Sequence, residues 1–158
     1  MLQKIKEINS NMIRNKKINE IIEFLKILKY KRYKLCILIV EANKFKRKKI
    51  KELAKKINGK YYNFLLNIDA EIKDSLFGVY NPSNFIEWLE NKTIDDNTIL
   101  VIDEIEPIIT TFPRGKQDVI KIFNFIGNLE IRGVIILVTI LKNLVKKSDF
   151  PEERILYF

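Results

Sequence analysis

Apolar residues recur at helical spacing at Ile18, Ile21, Ile22, Leu25 and Leu28, while Lys16, Lys17, Glu20, Glu23, Lys26 and Lys29 fill the other face. This is the pattern of an amphipathic helix, with room for a shorter helix before it. Residues 35–40 then form a continuous apolar run of strand length, as expected of a strand covered on both faces. Ile50, Leu53, Ala54 and Ile57 fall at i, i+3, i+4 and i+7, and Asn58-Gly59 supplies a helix stop. Residues 61–66 are rich in aromatics and read as a second strand.

Farther on, Asp69 can cap a short helix carrying Ile72 and Leu76, and Gly78 with Asn81-Pro82-Ser83 marks a loop before residues 85–89. Residues 98–102 form a clear strand that ends on Asp103-Glu104, with Pro107 preventing its continuation. Val119, Ile122, Phe123 and Ile126 mark another amphipathic helix, residues 134–139 a strand opened by Gly133, and residues 154–158 a terminal strand after Pro151. Strands alternating with helices imply right-handed crossovers. The expected fold is α/β: three layers, a mostly parallel sheet of about five strands, and helices on both faces. Residues 1–33 are expected as an amphipathic helical segment packed on the core of a single compact domain, with residues 34–158 as the α/β body.

The chain has 158 residues, the length of one domain, with 47% hydrophobic and 31% charged residues. That balance belongs to a folded globular protein. Histidine is absent and Cys36 is the single cysteine. A Ser-His-Asp triad, a histidine base, a disulfide within the chain and a cysteine-rich zinc site are therefore excluded. Cys36 lies in the apolar run 35–40 and is expected as a buried small hydrophobe. No segment reads as a secretory signal or membrane span, so a cytoplasmic protein with no membrane partner is expected. The net charge of +9 suits a polyanionic partner such as DNA or RNA. Codon bias toward Lys, Ile and Asn, or a thermophile's preference for lysine, would produce the same charge without a ligand.

In open parallel sheets, ligands bind beyond the carboxyl ends of the strands. A strand ending in Asp103-Glu104 has the form of a Walker B site, in which Asp103 would hold Mg²⁺ and Glu104 would orient the attacking water if hydrolysis occurs. A phosphate loop belongs after the first strand, as G-x-x-x-x-G-K-[ST]. Residues 41–48 read Glu41-Ala42-Asn43-Lys44-Phe45-Lys46-Arg47-Lys48 instead. Both glycines and the hydroxyl are missing, although Lys46 or Arg47 takes the lysine position. Weak or absent ATP hydrolysis is the expectation. The basic residues Lys44, Lys46, Arg47 and Lys48 oppose the dipole of the helix they start, a strain that an anion such as phosphate would relieve. Lys29, Lys31, Arg32, Lys34 and Lys49, interleaved with Tyr30 and Tyr33, are candidates for a nucleic-acid backbone. Arg114 and Lys116 are weaker candidates for phosphate.

From residue 34 onward the order of these parts resembles the AAA-type and RecA-type P-loop NTPases. Within them it looks most like the small P-loop protein of type III BREX phage-defence systems. The likeness rests on length, the leading helix, Asp103-Glu104-Ile105-Glu106, the helix around 121–129 running at once into 134–139, and the short ending 151–158. It implies ATP and Mg²⁺ as cofactors, a γ-phosphate-sensing role for Thr139 at the end of its strand, and protein partners in a multiprotein antiviral assembly acting on foreign DNA. Two other classes compete. A Toprim-like Mg²⁺-dependent nucleic-acid enzyme would use Glu41 after the first strand with Asp103 and Glu104 or Glu106. A non-catalytic nucleic-acid binder would use the two basic clusters alone.

Overall fold

The structure, a computed structural model, describes residues 1–67, 81–92 and 95–158. The helix expected to carry Ile72 and Leu76 behind Asp69, and the break at Gly78, lie outside the described residues. The elements run α1 (Leu2–Leu28), β1 (Leu35–Ile39), α2 (Lys46–Lys56), β2 (Lys60–Asn63), α3 (Pro82–Glu90) and β3 (Ile99–Asp103). Then come α4 (Glu106–Ile109), α5 (Lys116–Ile126), β4 (Val134–Thr139), α6 (Lys142–Lys147), a 3-10 turn (Glu152–Arg154) and β5 (Ile155–Tyr157).

All five strands pair in parallel, in the order β2-β3-β4-β1-β5. The two-residue period of a strand divides the core into halves. Leu35, Ile37, Ile39, Leu100, Ile102, Ile135 and Leu137 face one way and join Phe85, Leu89, Val119, Ile122, Phe123 and Val145 from α3, α5 and α6. Cys36, Leu38, Val40, Val101, Ile136 and Val138 face the other way and join Ile18, Ile21, Leu25, Ile50 and Leu53 from α1 and α2. Both faces are covered, which is why β1 and β4 are apolar at nearly every position. The three-layer α/β architecture expected from the sequence is the one observed.

Several local features differ from the sequence reading. The helix before β1 is one unbroken 27-residue element with no break near its middle. Its buried residues are Ile18, Ile21, Leu25 and Leu28, all in its second half. Asn81-Pro82-Ser83 is not a loop but a helix start. Asn81 caps α3, its side chain accepting from the Asn84 amide while Asn84 returns the bond, and Pro82 occupies the first turn. The stop at Asn58-Gly59 is a Schellman turn: the Gly59 amide donates to the Ala54 carbonyl at 2.8 Å and the Asn58 amide to Lys55 at 3.2 Å. Asn58, with φ 57°, takes the left-handed position there. The short helices α4 and α6 have no counterpart in the sequence pattern.

The last strand is fastened by a buried cation. Arg154 donates to the Leu35 carbonyl at 2.8 Å and to the Gly127 carbonyl, joining the approach to β5 with the start of β1 and the end of α5. Cys36 is fully buried on β1, and burial pushes its thiol up to about 12. Thiolate is the reactive form. Cys36 is accordingly expected to stay unlabelled by a thiol-disulfide exchange reagent at pH 8 in the folded protein, and to react fully once urea unfolds the chain.

Candidate functional site

Because β4 lies between β1 and β3, the turn after β1, the acidic end of β3 and Thr139 come together at one edge of the sheet. The turn is tightened by Asn43, whose side-chain oxygen accepts from the Phe45 amide at 2.9 Å and whose carbonyl accepts from the Lys46 amide at 3.2 Å. Helix α2 therefore begins at Lys46, with Lys46, Arg47, Lys48 and Lys49 in its opening turn and no acid among them. That arrangement opposes the helix dipole. The anions that relieve it come from the chain itself.

Lys46 is buried and places its Nζ 2.9 Å from Asp103 Oδ1 and 3.6 Å from Glu104 Oε1. Arg47 adds a contact of 3.7 Å to the same Glu104 oxygen. Asp103 is wholly buried. Its Oδ1 also accepts from the Glu104 amide at 2.8 Å, and its Oδ2 accepts from the Tyr61 hydroxyl at 2.9 Å. Three donors thus hold the two oxygens that a metal would use. Glu104 reaches this geometry with φ 60°, a left-handed conformation that costs a non-glycine residue roughly 1 kcal/mol or more.

The titrations follow from this packing. Burial alone would lower the Lys46 pKa, but the hydrogen bond to Asp103 and the fields of Glu106, Asp103 and Glu104 outweigh it and leave it raised. Tyr61 is raised by its burial and by Asp103, since its phenolate would stand beside a carboxylate. Glu106, also buried, uses Oε1 to accept from the Ile140 amide at 2.9 Å, which ties α4 to the end of β4.

The other sequence candidates fall into three places. Thr139 is buried and its Oγ1 accepts from the Leu141 amide at 3.1 Å, shaping the turn into α6. Lys44 and Lys48 are exposed, Lys44 lying 5.0 Å over the Phe45 ring. Glu41 and Lys49 line a crevice of about 510 Å³ at the strand ends, with Lys17, Lys142, Tyr157 and Phe158. Lys49, 4.3 Å over the Phe158 ring, has its pKa lowered by burial and by the positive charges of Arg14 and Lys17. Among the described residues no group of three or more acids, cysteines or histidines gathers as a metal site, so Glu41 and the carboxylates at and after the end of β3 do not form the cluster that the competing Toprim-like reading would use.

Lys29, Lys31, Arg32 and Lys34 lie before the amino end of β1, about 17 Å of strand away from Lys49. There Arg32 pairs with Glu130 at 2.6 Å and Lys34 donates to the Arg132 carbonyl at 3.1 Å. The two basic clusters therefore sit at opposite ends of the sheet. Arg114 and Lys116 are exposed at the start of α5. Tyr61 is the site residue that the sequence pattern does not reveal, and Glu106, a candidate metal carboxylate in the sequence, accepts from Ile140 instead. Tyr61 reaches Asp103 only because β2 pairs with β3, and nothing local signals that pairing.

The parallel order β5-β1-β4-β3-β2, with a basic turn after β1 and an acidic pair at the end of β3, defines an all-parallel, three-layer α/β fold. No family model matches the chain, and no curated protein matches it. Five solved chains match in structure. One, described as the crystal structure of Cdc6p from Pyrobaculum aerophilum, is similar with a TM-score of 0.38 and 13% identity over 89% of this chain and 44% of that one. The chain spans less than half of that protein's length, and a likeness this loose says nothing about what the chain binds or does. No helix among the described residues is long and apolar enough to cross a membrane.

Two outcomes follow from the buried pair. Lys46→Ala leaves Asp103 buried without its cation and is expected to cost about 3–5 kcal/mol of stability in urea unfolding, while Lys48→Ala on the exposed face stays within about 0.5 kcal/mol. The raised pKa values of Tyr61 and Lys46 contribute stability that is complete below about pH 10, the ordinary tyrosine range, and is lost as pH rises through their folded values. Tyr61→Phe should remove one late phenolate from the ultraviolet titration and flatten the alkaline fall in stability.

Proposed function

We propose that this chain is a degenerate P-loop NTPase-like protein whose metal and phosphate corner is closed by its own side chains, and that it acts through protein and nucleic-acid contacts in place of nucleotide turnover. The observation carrying this reading is the Lys46 ammonium 2.9 Å from Asp103 Oδ1. The lysine that would neutralise a γ-phosphate and the aspartate that would hold Mg²⁺ neutralise each other. As arranged, these residues do not fit a Mg²⁺-nucleotide. Lys46 would have to leave Asp103, and, with Lys46 in the lysine position, Val40 and Phe45 place side chains where phosphate-loop glycines leave bare backbone.

Nucleic-acid contact is assigned in this proposal to the carboxyl end of the sheet. Lys17, Lys49 and Lys142 converge there with Glu41 as the acid among the crevice residues, and at Lys49 the positive charges of Arg14 and Lys17 outweigh Glu41. Phosphates of a DNA or RNA backbone are the polyanions such a surface would take. Arg32 and Lys34, at the far end, already have partners of their own. Membership of a multiprotein defence assembly is the part of this proposal that rests on the resemblance alone.

Isothermal titration of ATP with Mg²⁺ into the protein checks the closed corner. No heat is expected up to millimolar ATP, in the wild type or in Asp103→Ala. Saturable binding lost in Asp103→Ala, or ATP hydrolysis lost in Glu104→Gln, would overturn the reading. The nucleic-acid part is checked with a fluorescent single-stranded oligonucleotide. Reversing Lys48, Lys49 and Lys142 to Glu is expected to weaken binding at least tenfold and to flatten its salt dependence. Unchanged affinity would refute the assignment.

A further inference from the structure

Helix α1 carries two apolar faces, and its own domain covers one of them. Ile18, Ile21, Leu25 and Leu28 are buried against the sheet. Leu2, Ile5, Ile8, Met12 and Ile13 stand out in solvent, each at least 49% exposed. At 100° per residue, Met1, Ile5, Ile8 and Met12 fall within about 60° of one another, centred about 150° away from the buried set. The exposed stripe therefore does not continue the core-facing stripe. Its 4-3-4 spacing is that of a coiled-coil seam two heptads long.

The first part of α1 also lacks what keeps a helix folded alone. No side chain caps its start and no acid stands in its first turn. Residues 2–16 include three isoleucines and three asparagines, weak helix formers. Near this end α1 meets the body through the 3.8 Å pair of Arg14 with Glu52 and the 3.3 Å bond of Lys56 to Asn15. A helix of about 15 residues without tertiary packing is marginal in water.

We infer that residues 1–16 of α1 are a docking surface for an acidic amphipathic helix of another protein, held by the seam of Met1, Ile5, Ile8 and Met12. Charge selects the occupant. Lys4, Lys6, Arg14, Lys16 and Lys17 face one acid, Glu7, across residues 1–17. With Met1, Ile5, Ile8 and Met12 at the seam, Lys4 and Lys16 take the flanking positions that set partner choice in paired helices. Glutamates on an opposing helix would meet both lysines, whereas a second copy of this chain brings the same positive excess. The surface belongs to the part of α1 that leads into Arg14 and includes neither Lys46 nor Asp103, so the inference stands whether or not the corner binds nucleotide.

Hydrogen exchange read by mass spectrometry on the full chain tests it. The probe is a synthetic amphipathic peptide with Leu and Ile at the seam positions and Glu beside them, and a control peptide carries Lys in place of Glu. Amides of residues 2–16 are expected to exchange rapidly in the free chain and at least tenfold more slowly with the acidic peptide, with no slowing by the control. Ile5→Gln with Ile8→Gln keeps the charge and the helix propensity, leaves the core untouched, and should abolish the slowing. Slowing that persists in this variant would mean charge attraction alone and overturn the inference. So would slowing that grows with protein concentration without peptide, slowing produced only by phosphatidylserine vesicles, or no slowing at all.

Discussion

A lysine ammonium and an aspartate carboxylate 2.9 Å apart, both withdrawn from water, fix the relation between the turn after β1 and the end of β3. Stripping both ions of water costs several kcal/mol each, and their attraction offsets this only when other donors complete the carboxylate's shell. Tyr61 and the Glu104 amide do so. The left-handed backbone at Glu104 and the uncapped start of α2 are tolerated within the same arrangement, since each brings a group to that carboxylate or to its neighbour. A bound anion is unnecessary to steady α2, because β3 provides two carboxylates at its amino end.

The same corner differs from a phosphate loop in what it leaves open. Glycines matter in that loop because a ligand must approach the backbone. With Lys46 turned onto Asp103, the approach is taken up inside the protein, and side chains at Glu41, Lys44 and Phe45 meet solvent instead of phosphate. Thr139 and Glu106 show the same inward turn, each spending its oxygen on an amide of the chain entering α6.

Much of the fold was legible because burial on both faces leaves a plain mark. The apolar run 134–139 predicts a strand and is β4 to the residue, and the run 35–40 exceeds β1 by one. Elements shorter than two helical turns left no usable period: α4 has four residues and α6 six. Pro107 predicts a strand stop, and it is also the proline of a helix's first turn. Asn81-Pro82 carries signals for a loop and for a helix start alike, and only the bonds to Asn84 decide between them. At the site, Asp103, Glu104 and Lys46 could be named from their places after strands. Their mutual pairing could not, because it depends on which strand lies between β1 and β3 and on which face each side chain points toward. Tyr61 and the separation of the two basic clusters depend on the same unknowns.

The order of strands has one more consequence. The described sheet ends on β2 and β5, which have four and three residues, while the two most apolar strands, β1 and β4, lie inside it. An outer strand so short offers a neighbouring molecule only a few unsatisfied amides and carbonyls, too little ladder to extend the sheet from one molecule to the next. Lys60 at the start of β2 adds a charge that such stacking would have to bury. For a sequence with nearly half its residues hydrophobic, the described strands thus offer no long edge through which molecules could polymerise.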